Sequence, residues 1–292
     1  MKTILLLPRI QIQNANALSS PYTIGFPAMT AWLGAVHALQ RKLNQAGFEA
    51  LQFKSVGVAC HDLNLQTHKG RGDYVHSIIG TGNPLDKDGS RPAFIEEARC
   101  HLTVSLIVEC NILFSDEKEN EFLAILSTSL QQLKFASGDI LNFGKPELLI
   151  IEDENTHRKL MRKLMPSYVL IERRELMVEA MKNGQNAIDA LLDYLTVKHC
   201  CVQNEDGSIK WTQKRKTNGW IVPIATGFHG ISELGKAENA RDMTTPHRFA
   251  ESVVTLGEFV MPFRIKKLDA MLWHYHVNLE NNLYLCQQNS HN

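Results

Sequence analysis

The chain opens on four consecutive apolar residues, Ile4 to Leu7, and then changes period. After Pro8 the alternation is strict: Arg9, Gln11 and Gln13 fall on one side, Ile10 and Ile12 on the other. This reads as a buried strand that becomes half-exposed. A polar, nearly uncharged stretch follows, with Asn14, Asn16, Ser19 and Ser20, read as a long loop ended by Gly25 and Pro27. Pro27 suits the first position of a helix. Met29, Trp32, Val36, Leu39 and Leu43 recur at helical spacing, which predicts a helix from about Pro27 to Gln45. Leu51 to Cys60 reads as a strand.

Residues 61–97 read as an insertion. Alternation fades from His61 to His68, Lys69-Gly70-Arg71-Gly72 makes a basic turn, and Tyr74 to Ile79 reads as a return strand. An extended hairpin with Lys69 and Arg71 at its tip is expected. Arg99 to Glu109 is the cleanest strand, with Cys100, Leu102, Val104, Leu106 and Val108 facing a core. Arg99, His101, Thr103 and Ser105 face the other way, a set that could hold phosphates. Asp116 to Ala136 reads as a second helix through Phe122, Leu126, Leu130 and Leu133, ended by Gly138. Ile140-Leu141 and Leu148 to Ile151 supply more strand. The order strand, helix, strand, strand, helix, strand is that of a ferredoxin-like, RNA-recognition-motif-like core over residues 1–154. No RNP1 aromatic pattern is present, so RNA would be held by loops and insertions, not stacked on the sheet.

The remainder, 155–292, reads as a helical and glycine-rich region packed on that core. It starts with a basic helix, Thr156 to Met165, then a short strand, Tyr168 to Ile171, and two helices through about His199. Glu205 to Asn218 is polar and reads as a mobile loop, and Trp220 to Ile224 as a strand among glycines. A further helix is predicted from about Arg248 to Phe259. Its start, with Asn239, Arg241 and Arg248 close by, reads as a phosphate site. The expected class is therefore α+β, a ferredoxin-like core with an inserted hairpin and an elaborated C-terminal region.

Composition narrows the chemistry. The 292 residues carry no net charge, which argues against indiscriminate nucleic-acid binding. The charge is segregated, however: residues 1–95 sum to +4, 96–154 to −8 and 155–292 to +4. No run approaches a membrane span, and Pro8-Arg9 interrupts the leader-like start. A cytoplasmic protein with no membrane partner is expected, its six cysteines reduced. The Asp86-Lys87-Asp88-Gly89 stretch fails as a calcium loop, since Pro84 and Ile95 fall where carboxylates are required. His199-Cys200-Cys201 lacks a second ligand pair for zinc, and no phosphate-loop, GxSxG or HExxH motif occurs. Neither metal nor cofactor is expected. Metal-free RNA cleavage would need a base and an acid, and His61, His76, Lys69 and Tyr74 lie close enough in sequence to supply them.

Several blocks of residues carry a likeness. They are Leu6-Leu7-Pro8-Arg9 through Ile12-Gln13-Asn14-Ala15-Asn16-Ala17 to Ser19-Ser20-Pro21 and Gly25-Phe26-Pro27, then Val36-His37-Ala38-Leu39-Gln40-Arg41. Asn83-Pro84-Leu85, Asp88-Gly89-Ser90 and Arg99 with His101-Leu102 follow, and late in the chain Gly219-Trp220, Asn239-Ala240-Arg241-Asp242, Arg248-Phe249 and Leu256-Gly257-Glu258. In these blocks the chain resembles the second subunit of the Csy surveillance complex of type I-F CRISPR systems, a relative of the Cas-five group. The blocks span nearly the whole sequence in one order.

That resemblance implies a non-catalytic subunit that grips the 5′ handle of the CRISPR guide RNA (crRNA) together with the large subunit. It caps the foot of the backbone filament and meets foreign double-stranded DNA through the assembled complex. The insertion at about 61–97 would be a thumb that docks the repeating backbone subunit through Lys69, Arg71 and Tyr74. The RNA-binding candidates are Arg9, Gln11, Gln13, Asn14, Asn16, Ser19, Ser20, Arg99, Asn239, Arg241 and Arg248: amides and hydroxyls to read bases, guanidinium groups to hold phosphates. The alternative is a metal-independent endoribonuclease that cuts precursor guide RNA.

Overall fold

The computed structural model describes residues 1–289 apart from 83, 86, 92–93, 113, 204–205, 237–241 and 243, and only the backbone of 80–82, 94–96 and 116. Strand β1 (Lys2–Asn16) is the axis of the molecule. Helix α1 (Met29–Gln45) follows, then strand β2 (Phe53–Leu65), strand β3 (Arg99–Cys110) and helix α2 (Asp116–Gln131). Strands β4 (Gly138–Asn142) and β5 (Glu147–Ile151) lie end to end along one edge of β1, against Gln11–Gln13 and Lys2–Leu6 respectively. Strand β3 runs antiparallel along the other edge, and β2 pairs with β3.

Helix α3 (Glu154–Leu164) begins at a capping box in which Asp153 accepts from the Thr156 amide at 2.8 Å. Next come strand β6 (Tyr168–Glu172), helices α4 (Arg174–Lys182) and α5 (Ala187–Leu195), and a hairpin of β7 (Lys198–Gln203) and β8 (Ile209–Lys214). Strands β9 (Trp220–Gly230), β10 (Ala250–Val260), β11 (His274–Asn278) and β12 (Leu283–Gln287) complete the chain. One eleven-stranded antiparallel sheet runs from the short Lys134–Phe135 strand through β4, β1, β3, β2, β6, β10, β9 and β12 to β11.

This sheet curls back on itself. Trp273, just before β11, exchanges backbone hydrogen bonds with Val56 on β2 at 2.8 and 2.9 Å. Its indole N–H donates to the Leu170 carbonyl on β6 at 3.0 Å, and its ring is fully buried. Helices α1 and α2 cover the inner face, where Leu5, Leu7, Ile10 and Ile12 of β1 share one core with Leu170, Ile224 and Phe259 from the C-terminal half. A chain of rings, Phe135–Trp32–Phe26–Phe259–Trp220–Tyr168, crosses that core with neighbouring centroids 5.1–5.7 Å apart. On the outer face α3 covers Ile4, Leu6, Ala59 and Ile107, and α4 and α5 cover Ile221 and Leu256.

Several expectations change. The stretch after Gln13 is not a loop at first: β1 continues to Asn16, and only then does a small hairpin, Leu18–Ser20 with Thr23–Ile24, turn the chain. Helix α2 stops at Gln131, and a tight turn with Ala136 and Ser137 at φ 47° and 65° joins Lys134–Phe135 to β4. The stretch read as a mobile loop at 205–218 contains strand β8. The helix predicted over Arg248–Phe259 is strand β10. Val253, Val254, Thr255 and Val260 are β-branched and resist a helix, and Gly257 lets β6 approach, its absent Cβ lying 3.0 Å from Leu170 Cδ1. Phosphate binding at a helix start beside Arg248 therefore has no helix to act through. Calls on Asn83, Asp86, Asn239 and Arg241 lie outside the described residues.

Candidate nucleic-acid interface

The outer face of the sheet is covered over the first half of β1 and open over the second. The boundary is a bulge. Arg9 takes a left-handed φ of 50°, the register with β3 shifts between Leu7 and Ile10, and the chain crosses α3's edge there. A second shift lies between Ile12 and Ala15, with Asn14 at φ 60°. Each bulge frees one backbone amide, and β3 supplies an acceptor for each. The Arg9 amide donates to Ser105 Oγ at 2.9 Å, and the Asn14 amide to His101 Nδ1 at 3.0 Å. Such pairing is what holds left-handed non-glycine residues in place.

Between and beyond the bulges the open face is a polar grid. Register aligns Asn142, Gln11, Thr103 and Asp62 in one row across four strands. Asp139 pairs with Gln13, and His101 with Asn64, in the next. Gln11 and Gln13 are exposed with no hydrogen bond from their side-chain amides, so these amides are free to meet a ligand. Arg9 is exposed as well. Its guanidinium donates to the Met165 carbonyl at 3.2 Å, just past the last turn of α3. That turn carries Arg162, which has no ion pair among the described residues, and Lys163, which pairs with Glu147 at 2.9 Å. The grid thus has a cationic margin on one side.

His61 ties the margin to the sheet. One ring nitrogen, Nδ1, lies 2.7 Å from the Pro166 carbonyl, and Nε2 lies 2.7 Å from Ser105 Oγ. A carbonyl only accepts, so Nδ1 carries the proton and Nε2 accepts from the serine hydroxyl. Ser105 in turn accepts the Arg9 amide. Burial, with the nearby Arg9 charge, holds the His61 pKa below its ordinary value. His157 and His274 are lowered for the same first cause, burial. Below about pH 6.5 the unfolded chain therefore binds protons that these histidines resist. Stability should be flat above that pH and fall as pH drops through it. Thermal melts at about pH 7.5 and 5.5 check the sign. His61→Gln should lose part of the acid sensitivity, and an unchanged melting temperature on acidification would contradict the assignment.

The remaining candidates fall elsewhere. Asn16 is half-buried and its amide bonds both the N–H and the carbonyl of Leu18 at 3.1 Å. Ser19 bonds Thr23 at 3.0 Å, and Ser20 is buried with its hydroxyl 2.5 Å from that of Thr23. These three act within their own turn. That hairpin reaches across to the start of β10, where the Tyr22 hydroxyl donates to the Ser252 carbonyl at 3.2 Å. Arg248 lies near that end of β10, its guanidinium bonded to Asn282, and is not part of the grid. Arg99 sits at the far end of β3 and pairs with Glu97 at 3.0 Å.

Lys69, Arg71 and Tyr74 are all exposed, on a turn between Thr67–His68 and Ser77–Ile78, whose two rungs pair. His76 bonds Thr67 at 3.2 Å, whereas both nitrogens of His61 are occupied in the sheet. Thr103, Ser105, His101, Asp62, Asn142 and Arg162 belong to the open face but were not among the expected contacts. The alternation of Arg99–Glu109 did carry that signal for three of them.

The model of the family described as CRISPR-associated protein (Cas_Csy2) matches residues 5–286. The chain belongs to the Csy2 family. A Csy2 relative, the CRISPR-associated protein Csy2 of Pseudomonas aeruginosa (strain UCBPP-PA14), is 35% identical over 311 residues, which cover 97% of this chain and 94% of that protein. Csy2 membership bears out the resemblance drawn from the residue blocks and places the chain among subunits of the type I-F Csy complex. The Csy2 match runs through both halves of the sheet, from β1 to β12, so the open grid and the curled C-terminal strands belong to one family unit. No helix among the described residues is long and apolar enough to cross a membrane.

Proposed function

We propose that this Csy2-family chain is a non-catalytic RNA-binding subunit of its type I-F complex. In this reading it holds the 5′ handle of the guide RNA with the large subunit, caps the foot of the backbone filament, and so takes part in defence against foreign double-stranded DNA. The observation that carries the proposal is the open polar grid on β1, β2 and β3 beside Arg9. Free amides at Gln11 and Gln13 suit base edges, and Arg9 with Arg162 suits phosphates. A ferredoxin-like core over 1–154 is supported by the strand order β5 or β4, β1, β3, β2 with α1 and α2 on one face. The turn with Lys69, Arg71 and Tyr74 is assigned to thumb contacts with the repeating subunit, and 155–292 to a region built onto the core.

The test is titration of handle RNA into the chain reconstituted with the large subunit. Arg9→Ala should weaken correct and scrambled handles alike, by ~10-fold or more, since it removes a charge-assisted contact. Gln11→Ala with Gln13→Ala should instead narrow the gap between the two handles. Wild-type affinity in both variants, with RNA crosslinks falling only on other surfaces, would defeat the proposal. In the same reconstitution, deleting residues 69–74 should leave RNA binding intact and abolish docking of the repeating subunit; normal docking would defeat the thumb assignment.

A further inference from the structure

The hairpin of β7 and β8 stands apart from the rest. Among the described residues its strands pair with each other and with no strand of the large sheet. The register sets Lys198 opposite Lys214, Cys200 opposite Thr212 and Val202 opposite Lys210. The other face sets Cys201 opposite Trp211 and Gln203 opposite Ile209. One face therefore presents three lysines, and the other presents Trp211 and Ile209, 67% and 64% exposed. Lys198 lies 3.8 Å from Asp193, and no carboxylate among the described residues pairs with Lys210 or Lys214.

This arrangement is unfavourable as it stands. Like charges directly opposite each other on a ribbon repel, and a lone two-stranded ribbon is marginal in water. A polyanion on the lysine face relieves both. Lys210 and Lys214 are separated along one strand by roughly 13 Å, so a single phosphate cannot serve them and the ligand is a chain of phosphates. Trp211 lies on the opposite face. A single strand whose phosphates rest on the lysines cannot also stack its bases on Trp211. A duplex needs no such platform, because its bases are already stacked. The groove of B-form DNA admits a two-stranded ribbon, whereas the deep groove of an RNA helix is too narrow.

We propose that the β7–β8 ribbon is a duplex-DNA arm, its Lys198, Lys210 and Lys214 face lying on the phosphates of B-form DNA. The inference goes beyond the guide-RNA reading and does not depend on it. The experiment is anisotropy of a labelled DNA duplex titrated with the full chain at several salt concentrations. The triple variant Lys198→Ala/Lys210→Ala/Lys214→Ala changes exposed side chains only, and its melting temperature checks the fold. It should bind every duplex sequence ~10-fold or more weakly and flatten the salt dependence by about 3 in log–log slope. Its affinity for handle RNA should not change, and Trp211→Phe should bind duplex like the wild type. The proposal is overturned if wild-type chain binds no duplex at low salt, or if the triple variant keeps wild-type affinity and slope. It is equally overturned if the loss falls on single strands and Trp211→Phe reproduces it, or if only association with other subunits is lost.

Discussion

Trp273→Ala should destabilise the protein by about 3–5 kcal/mol, the cost of emptying a fully buried indole site. The ring fills the inner core at the place where the sheet returns to β2. Its N–H is the donor to the Leu170 carbonyl, and the other donor there, the Gln288 amide, is at 3.5 Å. An alanine can still exchange the two backbone bonds with Val56, so the loss isolates the side chain. Trp273→Phe keeps most of the volume and removes only the N–H, and should cost about 1–2 kcal/mol. Urea denaturation of both variants separates packing from hydrogen bonding. An alanine variant within about 1 kcal/mol of wild type would mean that the sheet's return rests on other contacts.

Gly138→Val should be comparably severe and should also reach the candidate interface. A Cβ at Gly138 would sit 2.6 Å from Ile12 Cγ2, 2.8 Å from the Gln13 carbonyl oxygen and 2.9 Å from Ala15 Cα. Two of these are backbone atoms of β1 and cannot swing aside. Overpacking of this kind costs about 3 kcal/mol. The strain would lift β4 from β1 at the Asn14 bulge, so Gln11 and Gln13 lose their register with Asn142 and Asp139. Denaturation should show the loss, and handle RNA affinity measured well below the melting temperature should fall with it. A folded variant with normal RNA affinity would show that the register of β4 does not position the grid.

Much of the first half was legible from period alone. The alternation of Arg9 to Gln13 placed Ile10 and Ile12 in the core and the polar residues outside, as found. The helical spacing from Met29 to Leu43 marked the buried face of α1, and Arg99 to Glu109 marked both faces of β3. These elements are each amphipathic, so their pattern and their burial are one fact. The errors cluster where local pattern was silent. Residues 250–260 were assigned to a helix because four apolar positions fit either period, and only pairing with β6 and β9 made them a strand. Ser19 and Ser20 looked like free hydroxyls, yet each is consumed by Thr23.

The residues themselves decided that β1 would bury one side and display Arg9, Gln11 and Gln13 on the other, because a two-residue period assigns faces without reference to any partner. They also carried the family, through blocks spread along the whole chain. Tertiary structure alone decided which part of that displayed side stays open. α3 covers it over Ile4 and Leu6, whereas the two bulges, capped by Ser105 and His101 from a strand some ninety residues later, turn the rest towards solvent. It also decided that the sheet returns to β2 through Trp273. Such contacts join positions far apart in the chain, and their geometry depends on backbone pairing that no local pattern of apolar and polar residues encodes.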